Sequence, residues 1–225
     1  YQINLAIAGI AVGTVSLPVL SKAFKMKNVK KISDIQNKSF ELSLLFSIPA
    51  SFGLVLASNE IVNALFGYGS FSQNDVEMTA AALKFFGYGV PAFALIKILS
   101  NFYFARDNTK TPFYISIFIV FLNIFISISL FNKIGFIIIP IATSISTWVG
   151  VFTYIYLLNS RKILLLKNQL MTNFINILIS TIIMSSILLF SLDKYSSYLE
   201  YSYNYKAIYL ISIVSFVGMF YLLSC

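Results

Sequence analysis

Seven stretches of this chain are long, apolar and nearly free of charge: Tyr1–Ser21, Leu42–Asn59, Thr79–Phe104, Phe113–Phe131, Ile134–Ser160, Asn168–Leu192 and Ala207–Cys225. Only Thr79–Phe104 contains charged residues, Lys84 and Lys97. A helix rises about 1.5 Å per residue, so about 20 residues cross a ~30 Å hydrocarbon layer. Each stretch is of that order, and none alternates apolar and polar residues with the period of two that a membrane strand needs. In lipid the backbone must satisfy itself, so the pattern predicts an all-α polytopic bundle of about seven transmembrane helices.

The polar connections carry the second signal. Alternate connections hold eleven and three basic residues, the richest being the run of six lysines from Lys22 to Lys38. The positive-inside rule assigns the eleven to the cytoplasm. Tyr1 then starts outside and Cys225 ends inside. The segment Met26–Ser39 spaces Val29, Ile32 and Ile35 three apart among lysines, and Arg161–Lys167 encloses four apolar residues between bases. Both read either as interfacial segments on the anionic inner leaflet or as solvated basic loops.

Composition narrows the chemistry. Of 225 residues 58% are hydrophobic and 11% charged, against about 25% charged in soluble domains. The formal charge of +8 is accounted for by topology, so no nucleic-acid partner is called for. There is no histidine and one cysteine, Cys225, which removes imidazole catalysis and disulfide frameworks. No carboxylate pair or phosphate-cradling glycine loop is visible, so neither an enzyme nor a cofactor is expected. The chain opens at Tyr1 within an apolar run, and it is expected to be a piece of a longer protein.

Proline interrupts several spans: Pro18, Pro49, Pro91 and Pro140. Gly87 and Gly89 precede Pro91, marking either a hinge or the ordinary Gly and Pro content of membrane helices. Gly9 and Gly13 form a GxxxG pair suited to close packing. Gly67-Tyr-Gly69 followed by Ser72-Gln-Asn-Asp75 predicts a turn and then a capped helix start. Lys97 lies about 10 Å inside its span, where a charge costs at least ~2.5–3.5 kcal/mol. It either lines a cavity suited to an anionic substrate or snorkels to the interface. Asn123 with Ser127, and Thr143 with Thr147, each place oxygens on one helix face, as interhelical bonds or as hard-cation ligands.

Three stretches resemble the MurJ-type lipid II flippases of the multidrug/oligosaccharidyl-lipid/polysaccharide exporter superfamily. They are Gly9 to Lys22 with its Leu-Pro-Val-Leu-Ser turn, Leu65-Phe-Gly-Tyr-Gly-Ser-Phe71, and Lys97 with the loop Phe102-Tyr103-Phe-Ala-Arg-Asp107-Asn-Thr-Lys-Thr111-Pro112. Pro140 to Trp148 is similar to a further span of that family. In the third stretch Thr111 is expected to cap the next helix, with Pro112 in its first position.

The resemblance implies a fourteen-span flippase of two six-span lobes. It would carry a lipid-linked peptidoglycan precursor from the inner to the outer leaflet of the bacterial plasma membrane by alternating access. Residues 1–160 would then be five spans of the second lobe, and 161–225 two extra C-terminal helices that groove the lipid tail. The N-terminal half, with most of the cavity arginines, would lie outside this chain, and membrane lipids would be its other partners. Some family members bind sodium, and Asn123, Thr143 and the Ile139 carbonyl fall on ligand positions. Ser127 stands where those members have a carboxylate, and loss of a charged oxygen weakens a hard-cation site, so sodium coupling is not expected. Export of another lipid-linked glycan, an enzyme on lipid-linked intermediates, and a structural subunit are the other readings.

Overall fold

In a computed structural model of the chain, which describes Gln2 and residues 6–224, the described residues form helices and no strands. The expected locations of Tyr1 and Cys225 fall outside the described residues. Helix α1 spans Ala6–Lys25 and opens with a π-helical stretch, Ala6–Ala11, around the buried Gly9. Then follow α2 (Val29–Leu56), α3 (Ser58–Phe66), α4 (Gln73–Phe104), α5 (Lys110–Ile134), α6 (Ile138–Ser160), α7 (Asn168–Lys194) and α8 (Lys206–Ser224). Six helical stretches are long and apolar enough to cross a membrane. One of them, Lys110–Ser160, is 51 residues long and is two helices, α5 and α6. A single 3-10 turn, Gly135–Ile137, joins them, and Gly135 supplies the positive φ of 74° that reverses the chain. The seven expected spans are therefore present, with α3 as a short additional helix.

The bundle is centred on α4. It packs between α2 and α6, with α1 along one side and α3 at its start. The main core gathers Leu20, Phe40, Ile98, Leu99, Phe102, Tyr103, Val151, Tyr154 and Leu158. A second apolar cluster joins α7 and α8, through Met184, Leu188, Leu210 and Val217, to Ala57 and Ala64. Many large side chains on α5, α7 and α8 are exposed, among them Phe121, Phe125, Ile128, Phe190 and Phe216. That is the surface a lipid-facing helix presents, where apolar contact carries no penalty.

Pro18, Pro49 and Pro91 lie inside helices, and the last two show how the fold answers lipid. Pro91 has no N–H for the carbonyl of Gly87, four residues back. The Ser51 hydroxyl of α2 donates to that carbonyl at 2.8 Å. Ser144 Oγ donates to the Phe85 carbonyl at 2.7 Å and Trp148 Nε1 to that of Tyr88 at 2.9 Å, so α6 holds the same turn from its other side. Gly87 and Gly89 permit this approach. A Cβ at Gly87 would lie 3.0 Å from Val55 Cγ2, and one at Gly89 2.6 Å from Ser144 Oγ. In α2, Pro49 likewise frees the Leu45 carbonyl, and Tyr221 Oη of α8 donates to it at 2.8 Å. Both gaps are closed by a hydroxyl from another helix.

Four expectations are corrected by the helix ends. Met26–Ser39 is no separate interfacial helix, since α2 runs unbroken from Val29 through the membrane span, and Ile32 is buried in protein. Arg161–Lys167 does not lie free on the leaflet either. Gln36 Nε2 donates to the Ile163 carbonyl at 3.1 Å and Gln36 Oε1 accepts from Leu165 N–H at 3.0 Å. Ser33 Oγ and Asn37 Nδ2 both donate to the Leu165 carbonyl at 2.8 Å, and Lys167 pairs with Asp34. Thr111 does not cap α5. Asn108 Oδ1 accepts from Thr111 N–H at 3.1 Å, and Pro112 sits third in the helix, still within the turn whose N–H groups need no carbonyl. The expected capped start at Ser72 is present as a reciprocal capping box with Asp75.

Replacing Tyr221 by Phe should lower the stability of the detergent-purified protein by about 1 kcal/mol, read as a fall in thermal midpoint. In a Pro49→Ala background, where residue 49 regains its N–H, the same replacement should cost much less. Equal losses in both backgrounds would mean that Tyr221 does not serve the proline gap.

Candidate functional site

Among the candidate residues, Lys97 stands in the most suggestive place. It lines a cavity of about 400 Å³ between α1, α4, α5 and α6, with Ile10, Phe93, Ile119, Ser100, Ser116 and Thr147 among its walls. Among the described residues on that wall, Lys97 alone is charged. Its stem lies along Gly13, whose Cβ, were there one, would sit 3.2 Å from Lys97 Cγ. One turn on, Asn101 Nδ2 donates to the Gly13 carbonyl at 2.8 Å, fixing α1 against α4. Gly13 thus serves the close approach that its GxxxG spacing predicts. The ammonium itself has no hydrogen-bond or ion-pair partner among the described residues. A half-buried cation without a partner, beside three hydroxyls, is chemically suited to an anionic oxygen. Lys84, by contrast, is exposed near the other end of α4.

The loop motif after α4 is a packed corner. Phe102 and Tyr103 are fully buried; Phe102 meets Phe40 edge-on at 5.7 Å, and Tyr103 meets Tyr154 at 6.1 Å. Asp107 takes the left-handed conformation (φ 58°) and ends α4. Its N–H bonds the Phe104 carbonyl, and Asn108 N–H bonds that of Tyr103, the two bonds of a Schellman turn. Arg161 Nη1 reaches Thr111 Oγ1 at 3.3 Å and lies 5.9 Å from the Tyr103 ring, tying the end of α6 to the corner. These contacts position helices and carry no reaction.

Asn123, Thr143 and Ile139 do come together. Asn123 Nδ2 donates to Thr143 Oγ1 at 2.9 Å, and that hydroxyl donates to the Ile139 carbonyl at 2.7 Å. Ser127 Oγ is buried and unpaired. No group of three or more acidic, His or Cys side chains suited to a metal occurs among the described residues. The neutral donors and acceptors of Asn123, Thr143 and Ile139 are bonded to one another, and no anionic oxygen stands among them. They fit a bridge between α5 and α6.

A second lysine is the site that the sequence missed. Lys206, at the start of α8, is 0% exposed. Its Nζ donates to Asn63 Oδ1 at 3.0 Å and to the carbonyls of Gly67 and Tyr201 at 2.7 Å each. The Tyr68 and Tyr201 rings lie 4.3 and 4.7 Å from it. All three ammonium protons are used, and two π-faces replace a counterion. Asn63 Nδ2 donates to the Leu199 carbonyl at 2.8 Å, and Tyr201 Oη donates to that of Phe71. The cage thus binds α3 and the Gly67–Phe71 turn to the loop before α8. In the sequence the tyrosines clustered just before Lys206 are the signal that could have found it.

Helices long and apolar enough to cross a membrane, with proline gaps closed by their neighbours, give the described residues the architecture of a helical integral-membrane protein. Residues 1–210 match the family model of the lipid II flippase MurJ, and the chain belongs to that family. It is 34% identical over 219 residues to a probable lipid II flippase MurJ of Rickettsia prowazekii (strain Madrid E), covering 97% of this chain and 42% of that protein. A probable lipid II flippase MurJ of Rhizobium tropici is 32% identical over 190 residues, 84% of this chain and 36% of that one. A solved lipid II flippase MurJ in an inward closed conformation superposes on all of this chain and 44% of its own, with a TM-score of 0.78 and 27% identity. The chain therefore spans about two-fifths of the length of the relatives it matches.

Replacing Lys206 by Met should cost about 3 kcal/mol, because three buried oxygens lose their donor. Thermal unfolding of the purified protein reads this directly, and an unchanged midpoint would refute the cage's role.

Proposed function

We propose that this chain is the C-terminal part of a lipid II flippase. Within the longer protein it carries the lipid-linked peptidoglycan precursor from the inner to the outer leaflet of the bacterial plasma membrane. The observation that carries the reading is the family match over residues 1–210, joined to an unpartnered Lys97 on a cavity between apolar helices. Residues 1–160 supply five spans of the second lobe, and residues 161–225 supply the two helices beyond it. The N-terminal half is the partner across the cavity, and membrane lipids surround both.

In this reading Lys97 meets the anionic diphosphate of the precursor. Its ammonium is a point charge on a flexible stem, able to follow a moving anion where a fixed fork could not. Ser100, Ser116 and Thr147 add neutral oxygens along the wall. Gly87, Gly89 and Pro91 form the place where α4 bends as the cavity changes its opening, since the Gly87 carbonyl is held there by the Ser51 side chain and not by the helix ladder. The orientation follows the basic connections: the α1–α2, α4–α5 and α6–α7 corners face the cytoplasm, and the C-terminus does too. No bond is made or broken in the work proposed, so the protein acts without enzyme chemistry. The hydrogen-bonded Asn123–Thr143–Ile139 chain favours coupling to something other than sodium.

In the complete protein, Lys97→Ala should reduce precursor translocation at least about tenfold at unchanged abundance, the equivalent of one lost charge-assisted contact. Lys97→Arg should retain part of it. Accumulation of precursor on the inner leaflet after depletion of the wild-type copy measures the effect; full activity of the alanine variant would remove Lys97 from the cavity's work.

A further inference from the structure

At the end of the bundle opposite the Lys206 cage, three cations converge that neither the fold nor the proposed transport path uses. Lys27, Arg106 and Lys162 line one cavity of about 420 Å³, whose apolar walls include Phe24, Val29 and Leu165. They come from three different helix ends, those of α1, α4 and α6. None of the three forms an ion pair: the single pair within 4 Å among the described residues is Lys167 with Asp34. The Arg106 guanidinium lies 4.4 Å above the Phe24 ring, which holds it over the cavity. Desolvation pulls Arg106 below its ordinary pKa, as expected for a cation without an anionic partner, although arginine stays charged regardless.

Two alternatives account for only part of this. Basic residues near helix C-termini answer the helix dipole, but any position in the last turn would serve. A topology signal likewise needs only charge in the connection, at no particular place. Here Lys27 and Lys162 both occupy left-handed positions with φ of 53°, where Gly or Asn is the usual choice. Their N–H groups bond Phe24 and Asn159, and the following residues bond Ala23 and Leu158, closing Schellman turns. The same turn ends α4 at Asp107, so the turn itself serves the helix stop; what is particular here is that two such turns and Arg106 set three cations on one cavity.

The surroundings select the ligand. Met26 and Val29, beside the cavity, are 64% and 63% exposed. Exposed apolar side chains next to a ring of cations suit the boundary between headgroups and acyl chains, not bulk water. We propose that Lys27, Arg106 and Lys162 form a binding site for the phosphate headgroup of an anionic phospholipid, whose upper acyl segment rests on Phe24, Val29 and Leu165. One lipid held there bridges the ends of α1, α4 and α6 and so favours whichever arrangement brings those three ends together. Which leaflet supplies the lipid rests on the orientation proposed above; the site itself does not.

Native mass spectrometry of the complete detergent-purified protein tests this, with phosphatidylglycerol and phosphatidylcholine as probes. Phosphatidylglycerol should be retained at least about tenfold better. The triple variant Lys27→Gln, Arg106→Gln, Lys162→Gln should lose that preference. A variant matched in charge but away from the cavity, Lys25→Gln, Lys30→Gln, Lys38→Gln, should keep it. Undiminished preference in the first variant, or equal loss in the second, would overturn the site. Displacement of the bound lipid by millimolar inorganic phosphate, or by a polyprenyl diphosphate at lower concentration than phosphatidylglycerol, would assign the cations to a free anion or to the transported substrate. Either result would equally overturn the proposal.

Discussion

Everything in this bundle depends on one constraint: in lipid, a carbonyl that loses its helical partner must find another donor within the protein. Pro49 and Pro91 each break the ladder inside a long helix. The replacements, Tyr221 for Leu45 and Ser51 for Gly87, come from other helices. These two bonds fix what packs against what. Ser51 holds α2 to α4, and Tyr221 holds α8 to α2, so the last helix is tied to the first long one through a proline gap. Ser144 and Trp148 add α6 to the same turn of α4. Packing alone would give such helices no strong preference, because lipid tails are as apolar as leucine. The polar gaps give them one.

The other end of the problem is how helices stop. At two hairpins the chain uses the same device: a residue with positive φ, Lys27 or Asp107, and then an asparagine, Asn28 or Asn108. In each case the asparagine N–H closes the preceding helix and its side chain caps the next, by accepting from Lys31 or Thr111. Phe24, Asn28 and Lys30 recur as Phe104, Asn108 and Lys110, with the same spacing. One local solution thus serves α1–α2 and α4–α5. The α6–α7 connection begins with the same turn at Lys162 but has no asparagine after it. Its backbone instead bonds to Ser33, Gln36 and Asn37 on α2.

These comparisons explain what could be read in the sequence. The spans were legible because membrane thickness sets a length that soluble structure does not require, and the charge alternation repeated the count independently. The capping box at Ser72 was legible because both of its residues lie within one turn. The roles of Met26–Ser39 and Arg161–Lys167 were not. Their apolar spacing suits a leaflet and a protein surface equally, and the bonds that decide lie 127 to 133 residues apart. Helix α3 was missed because Ile61-Val62-Asn63-Ala64-Leu65-Phe66 follows a span almost directly, with no proline between them and Ala57, which cannot cap, at the helix start.

The two lysines show most clearly where sequence reasoning stops. Lys97 stood out because its neighbours along the chain are apolar, while Lys206 passed as one more charge in an outer connection. Burial reverses that impression of cost. Lys206 is the more deeply buried, yet three oxygens and two tyrosine rings satisfy it, and its energy is spent on holding the outer turn together. Lys97 is less buried and has none of this. A structural lysine in a membrane protein acquires partners, because an unpaired charge is costly; one that keeps its ammonium free beside a cavity does so against that cost. In the function proposed for the longer protein, the transported anion is the partner that comes from outside the chain. On this argument the free lysine, and not the caged one, is where substrate contact should be sought.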